Sequence, residues 1–167
     1  MIKKSIVPIK DNINDLANFA KPILLECYER FFKPGVTIQW VNNNQSAEAI
    51  KRDIKDGMEY YYIKSDNEVV GYFAIKPDNK DLLLSKLYID KKHRGKGFGK
   101  YALDFANNYG KEKNLQNVYC YCADYNTKSL EIYDKLGFKE KGDYIYKEKL
   151  LGEIVAEREI ILEKPIL

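Results

Sequence analysis

Between residues 81 and 113 the hydrophobic period of the chain changes abruptly, and a basic, glycine-rich turn marks the change. Asp81–Ile89 is a mostly apolar run of strand length. Gly97–Lys113 carries Phe98, Tyr101, Ala102, Phe105 and Tyr109 at helical spacing. Between them the chain reads Lys91-Lys92-His93-Arg94-Gly95-Lys96-Gly97-Phe98-Gly99-Lys100. A strand that passes through such a turn into a helix requires helices laid over a sheet. It also sets a helix N-terminus beside a strand end. Glycines at alternate positions let the backbone come close to a bulky ligand and take positive φ. The helix start presents free N–H groups and the positive end of its dipole, which suits a pyrophosphate. Arg94, Lys96 and Lys100 add positive charge there.

Two familiar phosphate motifs do not fit. A P-loop needs Ser or Thr after the Gly-Lys pair, but Lys100 is followed by Tyr101. A dinucleotide fingerprint begun at Gly95 and Gly97 needs Gly at position 100, where Lys stands. The pattern present is Arg-x-x-Gly-x-Gly, at Arg94, Gly97 and Gly99.

The rest of the chain supplies the other elements. Ser5–Ile9 is short and apolar and contains Pro8, as an edge strand would. Ile13, Leu16, Ala17, Ala20, Leu24, Cys27 and Phe31 fall at helical spacings, with Pro22 expected to kink or divide that helix and Pro34-Gly35 to end it. Thr37–Val41 reads as a short extended piece, and Ser46 as the cap of a helix through Asp56, with Gly57 past its end. Met58–Lys64 and Glu68–Lys76 form a hairpin around Asp66-Asn67. Pro77–Lys80 is the next turn, and Asp81–Ile89, more apolar than its neighbours, is the central strand. Asn117–Cys122 is a strand and Asn126–Leu136 a helix. Phe138–Lys147 and Ile154–Glu163 are a last pair of strands around a loop near Gly152. The expected fold class is mixed α/β (α+β), a largely antiparallel central sheet flanked by helices, in one domain over residues 1–167.

Composition narrows the function classes. A net charge of +3 with mixed signs argues against a nucleic-acid partner. Hydrophobic residues at 45% can build a core without metal or disulfide staples. The three cysteines, Cys27, Cys120 and Cys122, include no Cys-x-x-Cys, and His93 is the only histidine, so neither a zinc site nor a disulfide framework is expected. Cys120 and Cys122 share one face if they lie on one strand. Met1–Lys10 has no signal-like apolar core and no stretch approaches a membrane span, so the expectation is a cytoplasmic protein with reduced thiols.

Leu87-Tyr88-Ile89 followed by Arg94–Gly99 resembles the acetyl-CoA-binding motif of the GNAT superfamily of N-acetyltransferases. Asn126, six residues, Tyr133, then Lys135-Leu136-Gly137-Phe138 resembles the second signature of that family, one helix and one strand further on. The resemblance implies a sheet splayed at the acetyl-CoA site and acetyl-CoA as co-substrate, with no metal. It puts the cofactor on the amides and side chains of Arg94, Gly95, Lys96, Gly97, Phe98, Gly99 and Lys100, on the strand backbone at Leu87, Tyr88 and Ile89, and on Asn126, Ser129 and Lys135. Asn126 and Gly137 also have ordinary roles, as helix N-cap and as left-handed C-terminal cap.

Tyr133 carries the chemistry. Amine attack on a thioester expels a thiolate whose conjugate acid has a pKa of about 8.5 if it behaves like cysteine. A phenol, with a pKa of about 10, can protonate that sulfur as it leaves. By resemblance Tyr133 is the general acid; packing beside Leu130 and Leu136 would also explain it. Many relatives carry a glutamate base on the central strand. Here Ser85 takes that place, which leaves the base open, with water, Glu59 or Glu26 as alternatives. His93 reads as a phosphate-side surface residue. The acceptor pocket is expected from Asp11–Asp56, where Glu26, Glu29 and Glu48 could attract a cationic amine or form a solvated face. The expected function is acetyl transfer to a primary amine of a small molecule. A non-catalytic CoA-binding regulatory module and a protein N-terminal or lysine acetyltransferase are the alternatives. The last two strands could pair across a homodimer.

Overall fold

A computed structural model describes all residues, Met1–Leu167. Strand β1 (Lys4–Pro8) precedes helices α1 (Ile13–Tyr28), α2 (Val36–Asn44) and α3 (Ala47–Lys55). Strands β2 (Glu59–Ser65), β3 (Glu68–Asp78) and β4 (Asp81–Ile89) form a meander. Helix α4 (Phe98–Glu112), strand β5 (Asn117–Ala123), helix α5 (Thr127–Lys135) and the long hairpin β6 (Lys139–Leu150) and β7 (Glu153–Pro165) follow. The seven strands make one sheet in the order β1-β2-β3-β4-β5-β7-β6, with β4 in the middle. All neighbours are antiparallel except β4 and β5, which are parallel. No helix is long and apolar enough to cross a membrane.

Helices cover both faces, so the middle strands are buried on both sides. Val70–Ile75 of β3 is buried without a break, as in a strand covered on both faces. On one face Phe73, Ile75, Leu82 and Leu84 meet Phe98, Ala102 and Ala106 of α4, together with Cys120, Cys122 and Phe138. On the other, Tyr60, Tyr72 and Ala74 meet Ile13, Leu16, Ala20 and Leu24 of α1, with Val41 and Ile50. Cys120 and Cys122 do share a face.

Local signals account for most boundaries. The Ser46 hydroxyl accepts from the Ala49 N–H at 3.2 Å and starts α3. Gly57, at φ 101°, follows its end. Asp66 (φ 52°) turns the first hairpin and Asn79 (φ 54°) the second.

Three expectations need correction. Pro22 does not divide its helix: α1 runs unbroken from Ile13 to Tyr28. The ring lies on the solvent side with Asn18, so the unpaired carbonyl there reaches water. The buried stripe of Ile13, Leu16, Ala20, Ile23 and Leu24 holds the helix through it. Thr37–Val41 is helical, within α2. Its β-branched residues favour extended backbone, but Val36, Thr37 and Val41 are buried, and Trp40 lies 5.7 Å from the Tyr28 ring of α1. Tertiary packing overrides propensity there. Pro77 pairs with Leu82 inside the β3–β4 ladder, so that turn is only Asn79 and Lys80.

Gly71 is a point of close approach between β3 and β4. A Cβ at that position would lie 2.5 Å from the Tyr88 carbonyl oxygen and 2.8 Å from Ile89 Cδ1. Backbone cannot yield cheaply, so Gly71→Ala should lower stability by roughly 1–3 kcal/mol, the usual range for an overpacked core. Urea unfolding, read as a lowered midpoint at unchanged slope, checks this.

Candidate active site

The site is built where β4 leaves β5. The two strands are partners only at Leu82↔Val118 and Leu83↔Tyr119. One residue further on, β4 bulges: Ala74 pairs with Lys86 and Ile75 with Leu84, so Ser85 is extra. A bulge bends its strand, and this one turns Lys86–Ile89 away from β5. β5 itself stays paired to β7 from Asn117 to Ala123. The result is a gap in the middle of the sheet, lined by the backbone of Leu87, Tyr88 and Ile89.

The glycine turn closes one end of the gap. Gly95 (φ 75°) and Gly97 (φ 86°) take left-handed backbone that other residues adopt only under strain. Gly97 is the N-cap of α4 and carries no capping side chain. The first-turn N–H groups of the helix therefore have no side-chain partner. Nothing lies within 4 Å of where a Cβ would stand at Gly95 or Gly99, so the turn faces open space. Lys96 and Lys100 are exposed beside it, and Phe98 is buried in the core.

Arg94 does not extend freely into solvent. Its Nε donates to the Ile89 carbonyl at 3.0 Å, and Nη2 lies 2.7 Å from Glu26 and 3.3 Å from Cys27 Sγ. The guanidinium thus ties the turn to the end of α1 and holds the Glu26 carboxyl below the usual range. Lys4, unremarked in the sequence, also reaches the turn. Its Nζ donates to the Lys96 carbonyl at 3.2 Å and lies 5.1 Å from the Phe98 ring centre. Only the β1–β2 pairing brings it there. His93 is a local staple, with its ring 2.5 Å from Asp90 Oδ1.

Helix α5 stands over the β5 side of the gap. The Asn126 side chain accepts from the Ser129 N–H at 3.4 Å, the expected cap. Tyr133 is half-buried, with its ring 5.2 Å from Phe138, edge to face. Burial, first of all, raises its phenol well above the ordinary value; Cys120, Cys122 and Tyr88 are close enough for their ionised forms to add to this. The hydroxyl therefore lies between β5 and β4 and stays protonated. Lys135 is exposed in the last turn of α5 without a hydrogen bond or ion pair, and Ser129 is half-buried in the first.

The opposite face of the gap is aromatic and acidic. Tyr28 and Tyr88 share a hydroxyl hydrogen bond of 2.9 Å. Phe31 and Phe32 pack on Tyr125 at 4.6 and 5.9 Å, and Tyr121 on Tyr144 at 5.2 Å. Glu157 and Glu159 of β7 point to this face, since Glu159 is paired with Ala123 on one side and Tyr144 on the other. Burial, then the charges of Glu157 and Asp124, push the Glu159 carboxyl up to about 7. The alternation Glu157-x-Glu159 in a strand was the sequence signal for this pair. By contrast, Glu59 receives the Tyr109 hydroxyl at the start of β2, and Glu29 and Glu48 are exposed on other elements.

A carboxyl raised on folding binds protons in the folded state that the unfolded chain has lost. Stability contributed this way is complete below the unfolded pKa and lost as pH rises through about 7. Melting temperature should accordingly fall between pH 5 and 8. Glu159→Gln should remove part of that fall, on the order of 2 kcal/mol at pH 8. Parallel pH series of thermal melts on both proteins would show it; identical slopes would refute it.

The sequence model of the Acetyltransferase (GNAT) family matches residues 21–138, and the chain belongs to that family. The uncharacterized N-acetyltransferase in the pepI 3′ region of Lactobacillus delbrueckii subsp. lactis is 22% identical over 98 residues, 54% of this chain and 57% of that relative. The match thus spans little more than half of the curated relative. Among solved structures, the PaiA N-acetyltransferase of Thermoplasma acidophilum in complex with coenzyme A aligns at a TM-score of 0.74 with 22% identity, over 96% of this chain and 99% of that one. A mutant spermidine N-acetyltransferase, SpeG of Vibrio cholerae, aligns at 0.66 with 16% identity, over 97% and 93%. These likenesses establish the fold.

Proposed function

We propose that the protein moves an acetyl group from acetyl-CoA to a primary amine of a small molecule by direct attack. One observation carries this reading: the central strand parts from its parallel neighbour after Leu83 beside an uncapped helix N-terminus at Gly97. The residues present fit the donor. The α4 amides, with Lys96, Lys100 and Lys4 around them, suit its pyrophosphate. The free edge of Leu87–Ile89 suits pairing with its amide arm, and Asn126 and Ser129 border the same opening. Arg94 acts here chiefly by fixing the turn to Ile89 and α1. Lys135, at the far end of α5, would reach the donor only at its periphery.

When bound, the donor supplies an activated acetyl thioester. A backbone N–H of the Leu87–Ile89 edge is suited to polarise its carbonyl. Tyr133, held neutral by burial, donates a proton to the departing sulfur. The wall of Tyr28, Tyr88, Tyr121 and Tyr125 with Glu157 and Glu159 favours a cationic acceptor. The solved spermidine N-acetyltransferase is a relative in fold whose named acceptor is of that chemistry.

Calorimetric titration of the protein with acetyl-CoA, with ATP as control, tests the donor. Binding of acetyl-CoA alone is expected. Turnover is then read across a panel of polyamines, amino acids, aminoglycosides and peptide N-termini. Binding without turnover on any of them would favour a regulatory CoA-binding module. No binding by the folded protein would reduce Arg94–Lys100 to a basic surface turn.

A further inference from the structure

We propose that Glu159 is the group that takes the proton from the ammonium of the acceptor, with Glu157, held by Tyr125, beside it. The proposal rests on the acetyl-transfer reading above and names the base that Ser85 leaves open.

Geometry singles out Glu159 by elimination and by placement. Ser85 is the exposed bulge residue and carries no base. Glu26 is engaged by Arg94, Asp53 by Lys86 at 3.1 Å and Tyr60 at 2.6 Å, and Asp90 by His93. Arg158, the adjacent cation, points to the other side of β7, where it meets Asp143 at 2.7 Å, Glu140 at 3.7 Å and Asp124 at 4.0 Å. Glu159 has no cationic partner. It lies opposite Ala123, the last residue of β5, where the gap is open. Cys122, one residue earlier, faces α5 and Tyr133 instead. Base and acid therefore flank the gap from opposite faces of the sheet, so one can reach the attacking nitrogen and the other the sulfur of a thioester held between them.

Glu157 stands two residues along the same face. Its Oε2 is shut off from solvent and has no hydrogen-bond partner, while the Tyr125 hydroxyl approaches the carboxylate. The groups that face Glu159 are Glu157 on β7, Tyr125 after β5, Tyr144 on β6, and Tyr88 on β4, with Cys122 behind β5 and Asp124 near but paired with Arg158 on the other side. None is cationic. An incoming ammonium would supply the missing positive charge.

The protons balance. Glu159 takes one proton from the ammonium and later releases it to water. The neutral nitrogen forms the bond to the thioester carbon, and the carbon–sulfur bond breaks. Sulfur takes the Tyr133 proton, and the second proton lost by nitrogen restores Tyr133 through solvent. The sum is amide, thiol and one free proton.

Carbon-13 carboxyl titration of the full-length protein, with Glu159 assigned from Glu159→Gln, tests the state of the base without any acceptor. A midpoint near 7 that falls in Glu157→Gln is expected. Titration in the ordinary range, about 4.3, overturns the proposal. The kinetic arm uses acetyl-CoA with spermidine and with 1,4-diaminobutane. Glu159→Gln should lower kcat/KM roughly 100-fold at pH 7 and flatten the acidic limb of the pH profile. Acetyl-CoA affinity should be unchanged, and Glu159→Asp should restore part of the loss. An unaltered pH profile in an active Glu159→Gln protein refutes the base alone. Loss of acetyl-CoA binding by the wild type removes the transfer reading and the base with it.

Discussion

Tyr133→Phe lowers kcat by roughly 100-fold or more and leaves acetyl-CoA affinity intact, if the phenol serves as the general acid. The substitution removes one oxygen and keeps the ring, so the edge-to-face contact with Phe138 survives at 5.2 Å. The fold should therefore persist, and any loss reports chemistry. Burial keeps the phenol neutral at every working pH, so wild-type activity should show no alkaline limb from this group. The measurement is single-turnover kinetics beside calorimetric binding. Since the thiolate is a good leaving group once desolvated charge is relieved, the loss should shrink as pH falls and solvent can protonate sulfur. Unchanged turnover would return Tyr133 to the core of the α5 face.

Arg94→Ala combined with Gly97→Ala weakens acetyl-CoA binding by two orders of magnitude or more, on an estimate of about 1–3 kcal/mol per element lost. Gly97 holds φ 86° at the first position before α4. A methyl group there strains the backbone and would sit 3.1 Å from Lys4 Nζ. Relaxation turns the first α4 amides away from the anion they would hold. Arg94 contributes differently, by clamping Ile89 and Glu26. Without it the turn loses its tie to β4 and α1. Circular dichroism establishes that the double variant is folded. Retained binding in that folded protein would sink the phosphate assignment.

The local devices of this fold were legible. Asn126 and Ser46 cap their helices, Gly57 and Gly137 follow helix ends at positive φ, and the Arg94–Lys100 turn leads from strand into helix. Each depends on a few adjacent residues whose chemistry is written in order. Thr37–Val41 and Pro22 misled because neighbours distant in sequence outweighed propensity. Trp40 against Tyr28 and the buried stripe of α1 decided both.

The candidate site divides in the same way. The proposed donor side is a contiguous stretch of strand, turn and helix, so its geometry was readable because its parts are consecutive. The acceptor side proposed above joins Tyr28, Phe31 and Phe32, from the expected Asp11–Asp56 segment, to Glu157 and Glu159 of β7, more than a hundred residues away from α1. Register alone puts Glu159 across from Ala123, and the antiparallel insertion of β7 between β5 and β6 puts it beside the gap. A period-two alternation says that two glutamates share a face but not which face, or what faces them. Sequence thus determined most of the elements, their caps and the basic glycine turn, through interactions within a few residues. The tertiary structure decided which acid stands opposite which phenol, because burial and long-range strand pairing exist only once the sheet has closed.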